Sequence, residues 1–238
     1  MAKTVLPKPC LMLVTEPMER ARLIEVVGEA VAGGVNVVQL RDKSANGPEL
    51  LDTAKALLEG IGDCILLVNG RPAVVEAAGA AGVHLPGHGL RIDTVRSIIG
   101  AERLIGQSVH SHNEAIRAAE EGADYLVAGT IYASRSHSEI RPSGAHSLRL
   151  IRKSLREYAK PANRRYALTL QGWVREEPTV DPLIAEVPLI AIGGITPENC
   201  AECIEAGAAG VAVLSGILHA KDPRAAAELY WKRLTARP

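Results

Sequence analysis

The first apolar run and the turn after it, Cys10-Leu-Met-Leu-Val-Thr-Glu-Pro-Met18, separate two α/β architectures. A nearly continuous run of Leu, Met and Val suits a parallel strand covered on both faces, since such a strand has no polar side to offer water. In an open doubly wound sheet that binds a dinucleotide, the turn after the first strand is rich in glycine. Thr15-Glu16-Pro17-Met18 contains none. Seven more apolar runs follow, at residues 35–40, 64–68, 82–85, 104–109, 125–129, 189–192 and 210–214. Amphipathic stretches lie between them, among them 19–32, 48–59, 113–121, 147–158 and 197–206. Gly33, Gly60, Gly122 and Gly207 fall where helix C-caps are expected, and Thr196-Pro197 reads as an N-cap with proline at the first helical position. Eight strands, each followed by a helix, predict a single (β/α)8 TIM barrel in an α/β chain.

One segment breaks the rhythm. Residues 159–186 carry Pro161, Arg164 and Arg165, then Tyr166-Ala-Leu-Thr-Leu-Gln-Gly-Trp-Val174, then an acidic stretch with prolines. A barrel needs only a short link there. The segment is read as an insertion before the seventh strand, with a short strand of its own near 166–174; the alternative makes that run the seventh strand. The 238 residues suit one barrel domain, since such barrels run to about 250. With 47% hydrophobic and 23% charged residues, a largely disordered chain is excluded. Lys+Arg and Asp+Glu both number 27, so no global basic field points to nucleic acid or to an acidic membrane. Aromatics at 3%, with no Phe, rule against a base-stacking platform. No run is long enough for a membrane span, and residues 1–9 lack the apolar core of a secretory signal, so the cytoplasm is the expected compartment. Cys10, Cys64, Cys200 and Cys203 read as reduced structural thiols. The pair Cys200-Ala-Glu-Cys203 has redox spacing but falls well inside a helical pattern, away from the helix N-terminus that such chemistry needs.

In a barrel the site lies at the C-terminal ends of the strands, so the residues just past each run are the informative ones. Gln39, Arg41 and Lys43 are spaced two apart and are expected on one row, where two cations and an amide suit a phosphate or diphosphate; the plain alternative is a solvated strand end. Ile192-Gly193-Gly194-Ile195-Thr196 and Val213-Leu214-Ser215-Gly216-Ile217 open the last two loops. Glycines let a backbone approach an anion, and amides at a helix start point at it, so Gly194 and Ser215 are expected at a phosphate. Turn glycines would explain each loop singly, but not both together. The sixth loop, 128–144, is long and hydroxyl-rich; Ser134 and Ser136 are candidate donors on a closing lid, or part of a plain linker. His84 and His110 fall at strand ends and read as structural ring hydrogen bonders. Neither has metal-ligand spacing with a partner, so no metal site is assigned.

Seven of these motifs, in order, resemble the thiamine phosphate synthase/TenI family: Gln39-Leu-Arg-Asp-Lys-Ser44, Leu67-Val-Asn69, Gly82-Val-His-Leu85, Ile105-Gly-Gln-Ser-Val-His110, Ala123-Asp-Tyr125, Ala191-Ile-Gly-Gly-Ile-Thr196 and Val211-Ala-Val-Leu-Ser215. The resemblance covers nearly the whole chain apart from the insertion. It implies a (β/α)8 barrel and a small phosphorylated thiazole or pyrimidine ligand, with Asn69, Ser108 and Thr130 joining the binding residues. In the synthases that the chain resembles, Mg²⁺ bridges the diphosphate of an aminopyrimidine, the diphosphate leaves, and a thiazole nitrogen attacks the cation left behind. The metal is held there by an Asp after the strand-three Asn and by another past strand four. Those positions are Gly70 and Gly89 here. The synthase sixth loop resembles Pro-Thr-x-Thr-Lys, against Ala133-Ser134-Arg135-Ser136-His137 in this chain. TenI-like members resemble thiazole tautomerases, which need an acid/base but no metal. Their catalytic His falls on Thr130, and His137 is the expected substitute. Three readings follow, in this order: a metal-independent TenI-like tautomerase with no cofactor; a divergent synthase, the one case calling for Mg²⁺ or for Arg41, Lys43 and Arg135 in its place; and a non-catalytic precursor-binding protein. A homo-oligomer is consistent with the family, with Trp173 and Tyr166 either anchoring a partner or packing on the chain's own helices.

Overall fold

Every second residue of each apolar run turns inward and the others turn toward helices, which is what a parallel strand covered on both faces demands. The computed structural model describes residues 3–134, 141–160, 166–169, 172–175 and 181–236. Its elements are β1 (Cys10–Val14), α1 (Arg20–Ala32), β2 (Val37–Leu40), α2 (Gly47–Gly60), β3 (Ile65–Asn69), α3 (Pro72–Ala78), β4 (Gly82–Leu85), α4 (Ile92–Ile99), β5 (Leu104–Val109), α5 (His112–Glu120), β6 (Tyr125–Ala128) and α6 (Gly144–Tyr158). A hairpin of β7 (Tyr166–Thr169) and β8 (Gly172–Arg175) comes next, then β9 (Leu189–Ile192), α7 (Cys200–Glu205), β10 (Gly210–Val213), α8 (Ser215–Leu218) and α9 (Pro223–Thr235). Eight parallel strands close in the order β1-β10-β9-β6-β5-β4-β3-β2, with β1 pairing both β2 and β10. The fold is a (β/α)8 barrel.

Inside the barrel, Cys10, Met12, Val14, Val37, Leu67, Leu104, Tyr125, Val127, Ile190 and Ala212 form one apolar cluster, joined by Leu6 from the N-terminal segment. Their neighbours in sequence, such as Leu11, Leu13, Val38, Leu66 and Leu126, belong to the shell under the helices. A side chain at Gly106 would overlap the Tyr125 ring, so a glycine on β5 is what lets that ring lie across the interior. At the N-terminal end of the strands, Asp124 accepts from Ile105 N–H (2.8 Å) and pairs with Arg96 (2.6 Å) and Lys3 (2.8 Å).

Several local expectations change. The run at 166–174 forms two strands that pair only with each other, antiparallel and outside the barrel, so the seventh barrel strand is β9. Gly122 and Gly207 are left-handed after their helices, but Gly33 keeps φ −86°, and Gly60 is the last residue of α2. Residues 197–199 form a turn, and α7 starts only at Cys200; Thr196 is not its N-cap, because Asn199 Oδ1 instead accepts from Thr196 N–H (2.8 Å). Cys10, Cys200 and Cys203 are buried and, like Cys64, form no disulfide. Among the described residues no helix is long and apolar enough to cross a membrane.

Candidate functional site at the barrel mouth

The row that carries Val37 inward continues through Gln39, which is buried at the C-terminal end of β2. Thr15 extends the β1–β2 pairing beyond the strands: its N–H donates to Gln39 O (3.0 Å), and its Oγ1 accepts from Arg41 N–H (2.9 Å). Arg41 is thereby fixed by its backbone at the rim, half-buried and close enough to His84 to influence its titration. The row stops there. The strand ends at Leu40, and Asp42 builds a turn by accepting from Ser44 N–H (2.8 Å), Ser44 Oγ (2.6 Å) and Ala45 N–H (3.0 Å). Lys43 is exposed on that turn, because alternation no longer governs its placement.

Across the mouth, Asn69 ends β3 opposite His84 in register. Gly70 follows at φ 66° and donates its N–H to His84 O (2.8 Å), and Arg71 is exposed at the start of α3. His84 is sealed inside: its Nε2 lies 2.9 Å from Ser108 Oγ and its Nδ1 3.2 Å from Tyr125 Oη. Burial, reinforced by the Arg41 guanidinium, pushes the imidazole down to about 3. Burial also holds the Tyr125 phenol protonated. The interior thus presents a neutral polar chain, His84, Ser108 and Tyr125, beneath a cationic rim. His110 differs. It is exposed at the end of β5, with Nδ1 2.7 Å from Gly129 O and its backbone N–H donating to Glu114 Oε2 (2.8 Å).

β9 and β10 are neighbours, with Ala212 opposite Ile192, so the loops that follow them open side by side. Gly194 and Ser215 therefore share the rim with Arg41. Gly193 (φ 100°) and Gly194 (φ 61°) are both left-handed, and a side chain on either would run into the segment after β6, at Thr130 and Ala133 respectively. That segment is bonded to them through Ile131 N–H to Ile192 O and Tyr132 N–H to Gly193 O, both 2.9 Å. Close approach of the sixth loop is thus a structural reason for this glycine pair. Thr130 is half-buried and its carbonyl accepts from Ser143 N–H (2.9 Å) and Oγ (3.1 Å); Ser134 is half-buried, and Ser215 is exposed at the start of α8. Ser136, His137 and Arg135 lie outside the described residues.

Sequence reasoning missed three contributors. Tyr230 reaches from α9 to donate its hydroxyl to Ile195 O (2.9 Å), directly beneath Gly216, where a side chain would overlap that hydroxyl. Tyr132 donates to Glu202 Oε2 (2.5 Å), tying the sixth loop to α7. His219 Nε2 lies 2.8 Å from Glu16 Oε1, joining the first and eighth loops. An amphipathic pattern marks α9 as a helix but does not say which loop it supports. No ion pair forms to Arg41, Lys43 or Arg71 among the described residues. The donor set does not fit a carboxylate-held Mg²⁺: the two positions that would supply the acids are Gly70 and Gly89, and among the described residues no three His, Cys, Asp or Glu gather to hold a metal.

The architecture defines a (β/α)8-barrel protein with polar and cationic side chains at the C-terminal ends of its strands. The family profile described as thiamine monophosphate synthase matches residues 11–217. Thiamine-phosphate synthase of Methanoculleus marisnigri is 38% identical over 210 residues, covering 87% of this chain and 85% of that one. The enzyme of the same name from Haloarcula marismortui is 36% identical over 206 residues, covering 86% and 85%. Among solved structures, thiamine phosphate pyrophosphorylase from Pyrococcus furiosus superposes with a TM-score of 0.73 at 29% identity, over 95% of this chain and 96% of that one. The chain belongs to the thiamine monophosphate synthase family.

Proposed function

We propose that the protein joins an aminopyrimidine diphosphate to a thiazole phosphate and releases diphosphate, with rim cations in the place of a carboxylate-held metal. This reverses the order that the sequence motifs favoured, because the similar curated relatives bear the synthase name. The observation that carries the reading is Arg41: a guanidinium with no carboxylate partner among the described residues, continuing the interior row of Gln39 at the same rim as Gly194 and Ser215. A guanidinium grips a phosphoryl group bidentately, and Lys43 and Arg71 add point charge from the adjoining loops. Losing two carboxylates together with one divalent cation leaves the net charge of a site unchanged. The mouth therefore keeps its attraction for a diphosphate without either.

In this reading the pyrimidine methylene–oxygen bond breaks, the electron pair leaves with the diphosphate, and the thiazole nitrogen closes the new C–N bond. The rim holds both phosphorylated groups in place, above an interior whose polar chain of His84, Ser108 and Tyr125 is uncharged. A cytoplasmic setting is part of the proposal. Glycine at positions 70 and 89 also favours a second reading, a metal-independent thiazole tautomerase. Incubating the purified chain with both synthase substrates, in EDTA and in Mg²⁺, separates the two while the tautomers of thiazole carboxylate phosphate are followed by NMR. Coupled product in EDTA is expected. Tautomer conversion alone supports the second reading, and saturable binding with neither reaction marks a binding protein.

A further inference from the structure

We infer that His110 is the general acid that protonates the departing diphosphate, a catalytic role that rests on the coupling reading above. Rim cations neutralise part of the charge that the diphosphate gains as its bond to carbon breaks, and a delivered proton neutralises more of it. Of the two histidines at the ends of β4 and β5, His84 is sealed, hydrogen-bonded at both nitrogens and held neutral by burial. His219 faces Glu16. His110 is exposed, and it is oriented at two points. Its backbone N–H is held by Glu114, and its Nδ1 lies 2.7 Å from the carbonyl of Gly129.

A carbonyl oxygen only accepts, so Nδ1 carries the hydrogen of that bond in both protonation states. Nε2 is then the nitrogen that gains and loses the proton. It faces the loop after β4, where a Cβ built on Gly87 would stand 4.0 Å away. The ring thus bridges the top of β5 from the end of β6 to the loop of β4, with its working nitrogen turned toward that loop.

The step balances. The methylene–oxygen bond of the aminopyrimidine diphosphate breaks with its electron pair on the diphosphate oxygen, and that oxygen takes the Nε2 proton. The thiazole nitrogen lone pair forms the C–N bond, and the neutral imidazole regains a proton from solvent. General acids of this kind contribute about 10²–10⁴ in rate.

The test is single-turnover coupling in EDTA by the full chain, His110→Ala and His110→Gln, with circular dichroism to establish folding. Glutamine keeps a donor near the Nε2 position but cannot pass a proton. Both variants are expected to lose at least about a hundredfold in the coupling rate, with the KM for thiazole phosphate within about threefold, and added imidazole is expected to restore part of the His110→Ala rate. Coupling at the wild-type rate by either folded variant overturns the role of His110 alone, as does a loss confined to KM. Failure of the wild type to couple its substrates overturns the coupling reading, and His110's role with it.

Discussion

Arg41 and His84 lie close together at the mouth, and only one of them carries charge. Burial first and the Arg41 guanidinium second hold the imidazole down to about 3. This has a consequence for stability. In the unfolded chain an ordinary histidine takes up its proton as pH falls through about 6.5, whereas folded His84 does not until about 3. The unfolded state binds the extra proton across that window, so the stabilising contribution is complete above pH 6.5 and is lost as pH falls. His84→Gln removes the titration. Between pH 6.5 and 5 the wild type is expected to lose about 2 kcal/mol more than the variant in urea melts. Parallel loss in the two proteins would contradict a sealed, neutral His84. Strand spacing puts His84 and His110 alike at strand ends as structural rings, because spacing reports strand position but not depth. Coordinates separate the sealed ring from the exposed one.

Strands and helices read unequally well. The eight barrel strands were legible because a strand covered on both faces is apolar almost throughout, and each observed strand falls within its run to within a residue or two. The predicted row of Gln39, Arg41 and Lys43 was legible only as far as the strand reached, since the Asp42 turn removes the alternation that placed Lys43. The joint between the last two loops was illegible: Tyr230, Ile195 and Gly216 are remote in sequence and meet only when α9 packs beneath them. That joint makes a prediction at the scale of elements. Tyr230→Phe leaves the Ile195 carbonyl without its donor and is expected to cost about 1–3 kcal/mol. Gly216→Ala forces a methyl against the hydroxyl and is expected to cost a similar amount. In the double variant the hydroxyl is gone, so the total is expected to fall short of the sum by about 1 kcal/mol in denaturant melts. Additive costs would mean that the two loops are not braced by this contact.

At the scale of the whole molecule, closure of the barrel converts separate motifs into one site. Residues as distant as Arg41, Asn69, His110, Gly194 and Ser215 share a rim because each follows a parallel strand of one closed sheet. The order of the motifs was readable as a family pattern, but the balance between synthase and tautomerase was not, since both branches use the same barrel and differ in a few side chains at its mouth. In the function proposed above, this mouth holds a diphosphate by its own cations. Isothermal titration of inorganic diphosphate into the full chain, in EDTA and again in Mg²⁺, tests it most directly. Saturable binding in EDTA is expected, unchanged by Mg²⁺ and weakened roughly 10–100-fold by Arg41→Gln, the size of a lost charge-assisted hydrogen bond. Binding that requires Mg²⁺, or that is indifferent to Arg41→Gln, would contradict it.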